Sequence, residues 1–170
     1  MKTNMTHKLA AGILCFVLAL SLALIYPKQA IAWDPDPALQ EEGCGSGRDY
    51  ILVSISKQHV YHYKGGEIHC ESDCVTGTQG QKDTPLGSFK ITEKIPGTYL
   101  KPKGGTPVWV NRWMRITSDG VGLHDAPWRS AFGGGIYTAR GSHGCINLPS
   151  DFAYRLYTEV HVGYPVTIVP

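Results

Sequence analysis

The residues with chemistry in them are Ser142-His143-Gly144-Cys145-Ile146-Asn147, read together with His124, which seventeen residues separate from Ser142. A thiol is a weak nucleophile at neutral pH unless a base or a positive field makes it a thiolate. An imidazole can take that proton near pH 7 and return it to a leaving amine. Glycine beside the nucleophile permits a sharp turn and leaves room for a substrate carbonyl. Backbone N–H groups of Gly144 and Cys145 are then candidates to stabilise an oxyanion. Cys145 is the candidate nucleophile and His124 the candidate base. His143, inside the nucleophile's own turn, is read as orienting the substrate or the motif loop. Ser142 and Asn147 are expected to hydrogen-bond within the turn and to lie near the substrate.

Four further residues are candidates to line the site. Arg129 and Arg140 flank it, and a guanidinium fork pairs well with a carboxylate. Trp128 and Tyr137 could form a cleft wall or pack in the core. A zinc reading of His59, His62, His69, Cys70 and Cys74 is not adopted, because the set lacks an accepted ligand spacing and His59 and His62 point to opposite faces of a strand. The expectation is no metal and no cofactor.

The elements around these residues read as mostly short strands. Tyr50 to Ser56 is one, and Val60–Lys64 and Glu67 onward flank Gly65-Gly66 as a hairpin. By period two, Tyr61, Tyr63, Ile68 and Cys70 should share one face, with His62 and His69 on the other. Phe89–Ile95, Val108–Ile116 and Val121–Leu123 read as strands, the last ending at His124. Asp125 to Gly141 is a long loop, and loops of that length in compact domains are commonly functional. Ser150 is the expected N-cap of an amphipathic helix carrying Phe152, Leu156 and Val160, and Pro165–Val169 closes the chain as a strand. The fold class expected is mainly β, a sandwich or barrel-like sheet pair with a short helix after the nucleophile.

The chain has 170 residues, enough for one domain. Lys2 and Lys8 precede an apolar run from Leu9 to Ile25, and Ala30-Ile31-Ala32 offers a cleavage site before Trp33. That is the plan of a secretory signal peptide over residues 1–32; the rival is an uncleaved membrane anchor. Residues 33–47 read as a linker and 48–170 as the catalytic domain. Without residues 1–32 the chain carries 13 Lys+Arg against 14 Asp+Glu, which argues against a nucleic-acid binder. Export permits disulfides. Cys70 and Cys74 on one strand would be about 13 Å apart at ~3.3 Å per residue, beyond the roughly 7 Å that a disulfide spans. Cys44 with Cys70 or Cys74 is the expected pairing, leaving Cys145 free.

The motif resembles the active-site signature of the L,D-transpeptidases, the YkuD-domain family of bacterial cell-wall enzymes. All six motif positions and the interval to His124 fit. Thr84-Pro85-Leu86-Gly87-Ser88-Phe89-Lys90-Ile91, Gly122-Leu123-His124-Asp125 and Phe132-Gly133-Gly134 are similar to family segments, so the resemblance covers about Arg48 to Pro170. It implies a β-sandwich, proton transfer by His124 rather than His143, and a third member, usually the backbone carbonyl of the residue after that histidine, here Asp125. The Asp125 side chain is the alternative. It also implies an extracytoplasmic enzyme acting on peptidoglycan stem peptides and acylated by carbapenem-type β-lactams. Hydrolysis by an L,D-carboxypeptidase route, or a non-catalytic wall-binding domain, are the other readings. A papain-like peptidase would want a helix starting at the nucleophile and a histidine downstream of it.

Overall fold

The computed structural model describes residues 48–101 and 105–170. The expectations for residues 1–32, the linker at 33–47 and Cys44 fall outside these residues. Among the described residues no helix is long and apolar enough to cross a membrane.

The described residues form a mainly β fold of two packed sheets and a hairpin. The first sheet has the order β3-β2-β1-β11-β4, from β1 (Tyr50–Ser54), β2 (His59–Lys64), β3 (Glu67–Asp73), β4 (Gly87–Lys90) and β11 (Pro165–Val169). The second has the order β10-β9-β8-β5, from β5 (Glu93–Ile95), β8 (Trp113–Arg115), β9 (Gly122–Asp125) and β10 (Ile146–Leu148). A separate hairpin pairs β6 (Thr98–Leu100) with β7 (Val108–Val110). A 3-10 turn at Gly134–Ile136 leads into a one-turn helix α1 (Tyr137–Arg140), so the long loop carries local order. Helix α2 is Ser150–Glu159.

β1 is central, parallel to β11 and antiparallel to β2; Ile51 and Val53 face the main core while Leu52 packs with Tyr61 and Tyr63 in a second cluster, so all three are fully buried instead of alternating. One core lies between the sheets and under α2, joining Ile51, Val53 and Ile168 to Met114, Leu123, Ile146, Leu148, Phe152 and Leu156. Each such fully buried aliphatic side chain contributes about 1.5–3 kcal/mol relative to exposure.

Four expectations need correction. The run 89–95 is two strands, because Ile91 N–H bonds to Tyr164 O and Thr92 N–H to Arg115 O, carrying the chain from one sheet to the other. The run 108–116 likewise breaks at Asn111-Arg112. Cys70 does not share a face with the tyrosines: His62 pairs with Cys70 and Tyr63 with Ile68, so His69 is an extra residue in a bulge that flips the strand beyond it. Cys70 therefore faces the main core beside His62, at 3.6 Å from its Nδ1, while the His62 and His69 rings meet edge-on. Ser150 is not the N-cap; it is the first helical residue, and Pro149 caps, its carbonyl accepting from Ala153 N–H. The hairpin turn is as read, with Gly65 at φ 60° and Gly66 at φ 86°. Cys70 and Cys74 are buried free thiols.

Candidate active site

Three strands of the second sheet place the site. In the ladder β8-β9-β10, Trp113 pairs with His124 and His124 with Asn147. One residue earlier along β9, Leu123 pairs with Met114 and Ile146, all three fully buried in the core. Side chains alternate across a sheet, so anchoring the Met114–Leu123–Ile146 row inward turns the Trp113–His124–Asn147 row outward. His124 and Asn147 of this row line a cleft of about 430 Å³, walled also by Lys82, Leu100, Lys101, Asp119, Trp128, Arg129, His143 and Cys145. β10 follows Cys145 directly, so the strand, not a helix, carries the motif away from the cleft, unlike the papain-like arrangement.

His124 is held from all sides. It is 3% exposed, with its ring tilted against Trp113 at 5.9 Å and Trp128 at 6.0 Å between centroids. Its Nδ1 lies 2.8 Å from the backbone carbonyl of Asp125, an obligate acceptor, so Nδ1 carries the proton. The Asp125 carboxylate turns elsewhere: it accepts from Asn111 N–H at 2.7 Å, Arg112 N–H at 2.8 Å and Asn111 Nδ2 at 2.8 Å. The backbone carbonyl, not the side chain, is therefore the histidine's third-member contact. Burial lowers the His124 pKa below the ordinary value, against the raising influence of Asp125, so the ring is neutral at pH 7.

Cys145 is partly exposed at the cleft floor, and its thiol donates to Gly120 O at 3.7 Å. Burial pushes the thiol up to about 11, Gly122 N–H pulls the other way, and Asp119 adds to the rise. The resting pair is thus a neutral thiol and a neutral imidazole in one cleft, not a preformed ion pair.

The turn that presents Cys145 is braced through Ser142, Gly144 and Cys145. Ser142 Oγ donates to Cys145 O and accepts from Gly144 N–H at 3.0 Å. Of the two expected oxyanion donors, Gly144 N–H is therefore engaged within the turn. Gly144 has φ 111°, a conformation open to glycine and rarely to other residues. Thr84 Oγ1 donates to Gly144 O and accepts from Gly77 N–H, each at 2.8 Å. Thr84 is 3% exposed and was not singled out from the sequence; the signal was its place in the Thr84-Pro85-Leu86-Gly87 segment. Trp113 was also missed as a site residue.

The other candidates divide. Trp128 is about half exposed and, with the exposed His143, faces the cleft. Arg129 lines the cleft but is committed inward, its Nε donating to Asn147 Oδ1 at 2.9 Å and its NH1 to Arg140 O at 3.0 Å. Arg140 and Tyr137 are not among the residues lining the cleft. Among the described residues no three His, Cys, Asp or Glu side chains are arranged to hold a metal ion.

The model of the YkuD family, the L,D-transpeptidase catalytic domain, matches residues 48–168. L,D-transpeptidase 1 of Mycobacterium tuberculosis is 30% identical over 138 residues, 75% of this chain and 53% of that protein. The chain thus spans about half the length of that relative. A crystal structure of a mutant Enterococcus faecium L,D-transpeptidase aligns with a TM-score of 0.68 and 38% identity, covering 73% of this chain and 50% of the other. The NMR structure of the E. faecium catalytic domain acylated by ertapenem aligns with a TM-score of 0.64 and 36% identity, covering 74% and 99% respectively.

Proposed function

We propose, from the premise that the chain belongs to the family of L,D-transpeptidase catalytic domains, that it is a cysteine-dependent acyltransferase acting on peptidoglycan stem peptides. The observation that carries this reading is a thiol and a neutral, tautomer-fixed imidazole opening into one cleft.

Cys145 Sγ attacks the carbonyl between the L-centre of a diamino acid and a terminal D-Ala. Its proton passes to His124 Nε2. The tetrahedral oxyanion is met by the Cys145 N–H, since Gly144 N–H is engaged by Ser142. The C–N bond breaks, and D-Ala leaves as the amine with the proton from His124. An acceptor amine then attacks the thioester, giving its proton to His124 and releasing the thiol with a new amide bond. Water in place of the amine would give an L,D-carboxypeptidase. The cleft's Lys82 and Lys101 provide positive charge for the stem's carboxylates. A wall-binding domain without chemistry is disfavoured by the intact Cys145 and His124.

Residues 48–170 form the catalytic domain in this reading, 33–47 a linker, and 1–32 a signal peptide that exports it beyond the cytoplasm; N-terminal sequencing of the exported product should begin near Trp33. Carbapenem-type β-lactams would acylate Cys145, as ertapenem acylates the E. faecium catalytic domain. The test is incubation of the chain with defined disaccharide tetrapeptides, with products read by mass. Loss of D-Ala with a new cross-link, abolished in Cys145→Ser, supports the proposal; substrate unchanged over the same period as a boiled control sinks it.

A further inference from the structure

The base lone pair of His124 is already occupied. Asn147 Nδ2 lies 3.0 Å from His124 Nε2, and Asn147 Oδ1 lies 2.9 Å from Arg129 Nε. The arginine decides which end of the amide is which. Arg129 Nε–H can only donate, so the asparagine atom facing it is the oxygen, and the –NH2 faces the histidine. That group donates, so Nε2 accepts on its lone pair and the ring proton stays on Nδ1. The Asp125 carbonyl at the far side of the ring demands the same tautomer. Arg129 is fixed in turn by donating to Arg140 O. The backbone of Asn147 is pinned by reciprocal bonds with Val75, each 2.9 Å, so the amide has little freedom to swing as a whole.

We propose that Arg129, acting through Asn147, is a positioning residue that holds His124 as the neutral Nδ1–H tautomer and sets the threshold for activating Cys145. An imidazolium would put Nε2–H against the –NH2 of Asn147, two donors face to face, so the relay opposes premature protonation of the base. Nε2 has one lone pair in its plane. While Asn147 occupies it, the Cys145 thiol is parked on Gly120 O instead. Substrate entry must displace the amide before the thiol proton can move. This deepens the acyl-transfer reading and rests on it for the rates, though not for the tautomer. The charged groups bearing on His124 are Asp125 and Arg129.

The test uses the full chain, ¹⁵N-histidine NMR and carbapenem acylation at pH 7. The parent should show a pyridine-type Nε2 and a pyrrole-type Nδ1 for His124. Asn147→Asp keeps the Arg129 contact but turns an obligate acceptor toward Nε2, so the Nε2 signal should become protonated and acylation should fall ~10²–10⁴-fold, the loss expected when a general base is removed. Arg129→Leu frees the amide to flip; a mixed Nε2 signal and roughly tenfold slower acylation are expected, a tenfold change corresponding to ~1.4 kcal/mol. Arg129→Lys restores a cationic donor and should recover most of the rate. If Asn147→Asp does not fold, Arg129→Leu carries the test alone. A parent-like Nε2 signal with a parent-like rate in either folded variant overturns the proposal, as does a parent whose Nε2 is protonated. A parent that no β-lactam or tetrapeptide acylates would instead overturn the acyl-transfer reading, leaving the NMR result to judge the relay.

Discussion

The carboxylate of Asp125 grips the backbone of Asn111 at 2.7 Å, while only the main-chain carbonyl of the same residue serves His124. One residue thus does two separable jobs. Its side chain closes the bend between β7 and β8, and its backbone fixes the imidazole. Asp125→Ala should lose charge-assisted hydrogen bonds to Asn111 and Arg112 and cost about 1.5–3 kcal/mol of stability. At temperatures where the variant is folded, acylation should keep the parent's rate at pH 7, with the acid limb moving only to lower pH as the carboxylate's raising influence on His124 is removed. Thermal unfolding with parallel pH–rate curves checks both; a rate at pH 7 that falls ~10²–10⁴-fold in folded protein, as when a general base is lost, would mean that the side chain orients the base after all.

Thr84 braces the nucleophile's turn from outside the motif, satisfying Gly77 N–H and Gly144 O together. Thr84→Val keeps the shape and removes the hydroxyl, leaving both backbone groups without that partner. The unpaired buried groups should cost about 1–3 kcal/mol, and acylation should slow as the Gly144 turn loosens. Denaturant unfolding and the acylation rate are the measurements. A variant as stable as the parent would remove Thr84 from the account.

A second polar cluster, remote from the catalytic row in sequence, governs acid stability. His62 is fully buried, its Nε2 2.7 Å from Tyr164 OH, and burial, helped by Lys64, lowers it to about 4. For Glu159, burial pushes the carboxyl up, but hydrogen bonds from Lys64 and Arg155 outweigh it and hold the group at about 2. Both folded-state values lie below the unfolded ones. Their stabilisation is therefore complete above about pH 6.5 for His62 and above about 4.3 for Glu159, and is lost as pH falls toward about 4 and about 2. The melting temperature should decline from pH 6.5 downward, and His62→Gln should flatten the upper part of that slope. A parent whose melting temperature is constant between pH 6.5 and 4 contradicts this.

Local chemistry was legible in the sequence and long-range pairing was not. The Gly65-Gly66 hairpin and β11 follow from residue type and spacing, and the Cys145 motif with His124 from residue type together with the family resemblance. The breaks at Ile91-Thr92 and Asn111-Arg112 did not, because an alternating pattern continues across a bend whose cause is a distant acceptor, Tyr164 O or the Asp125 carboxylate. β10 was not read as a strand, since Ile146-Asn147-Leu148 is too short to show a period. Its pairing with β9 is what brings Asn147 against His124, and register between distant segments leaves no trace in either one. Cys70 was placed on the wrong face for a similar reason: a one-residue bulge at His69 inverts everything after it.

The central claim is that His124 takes the proton of Cys145, and the carbapenem acylation rate against pH for parent, His124→Ala and His143→Ala tests it most directly. His124 titrates below the ordinary histidine value, so the parent should stay level through pH 6.5 and fall only in more acidic solution. Without the base, Cys145 must ionise unaided against a thiol pKa pushed to about 11. His124→Ala should therefore be ~10²–10⁴-fold slower at pH 7 and climb with pH toward that value, while His143→Ala is slower but keeps the parent's near-neutral profile. A His124→Ala variant that reacts like the parent, with the alkaline climb appearing in His143→Ala instead, would contradict the account.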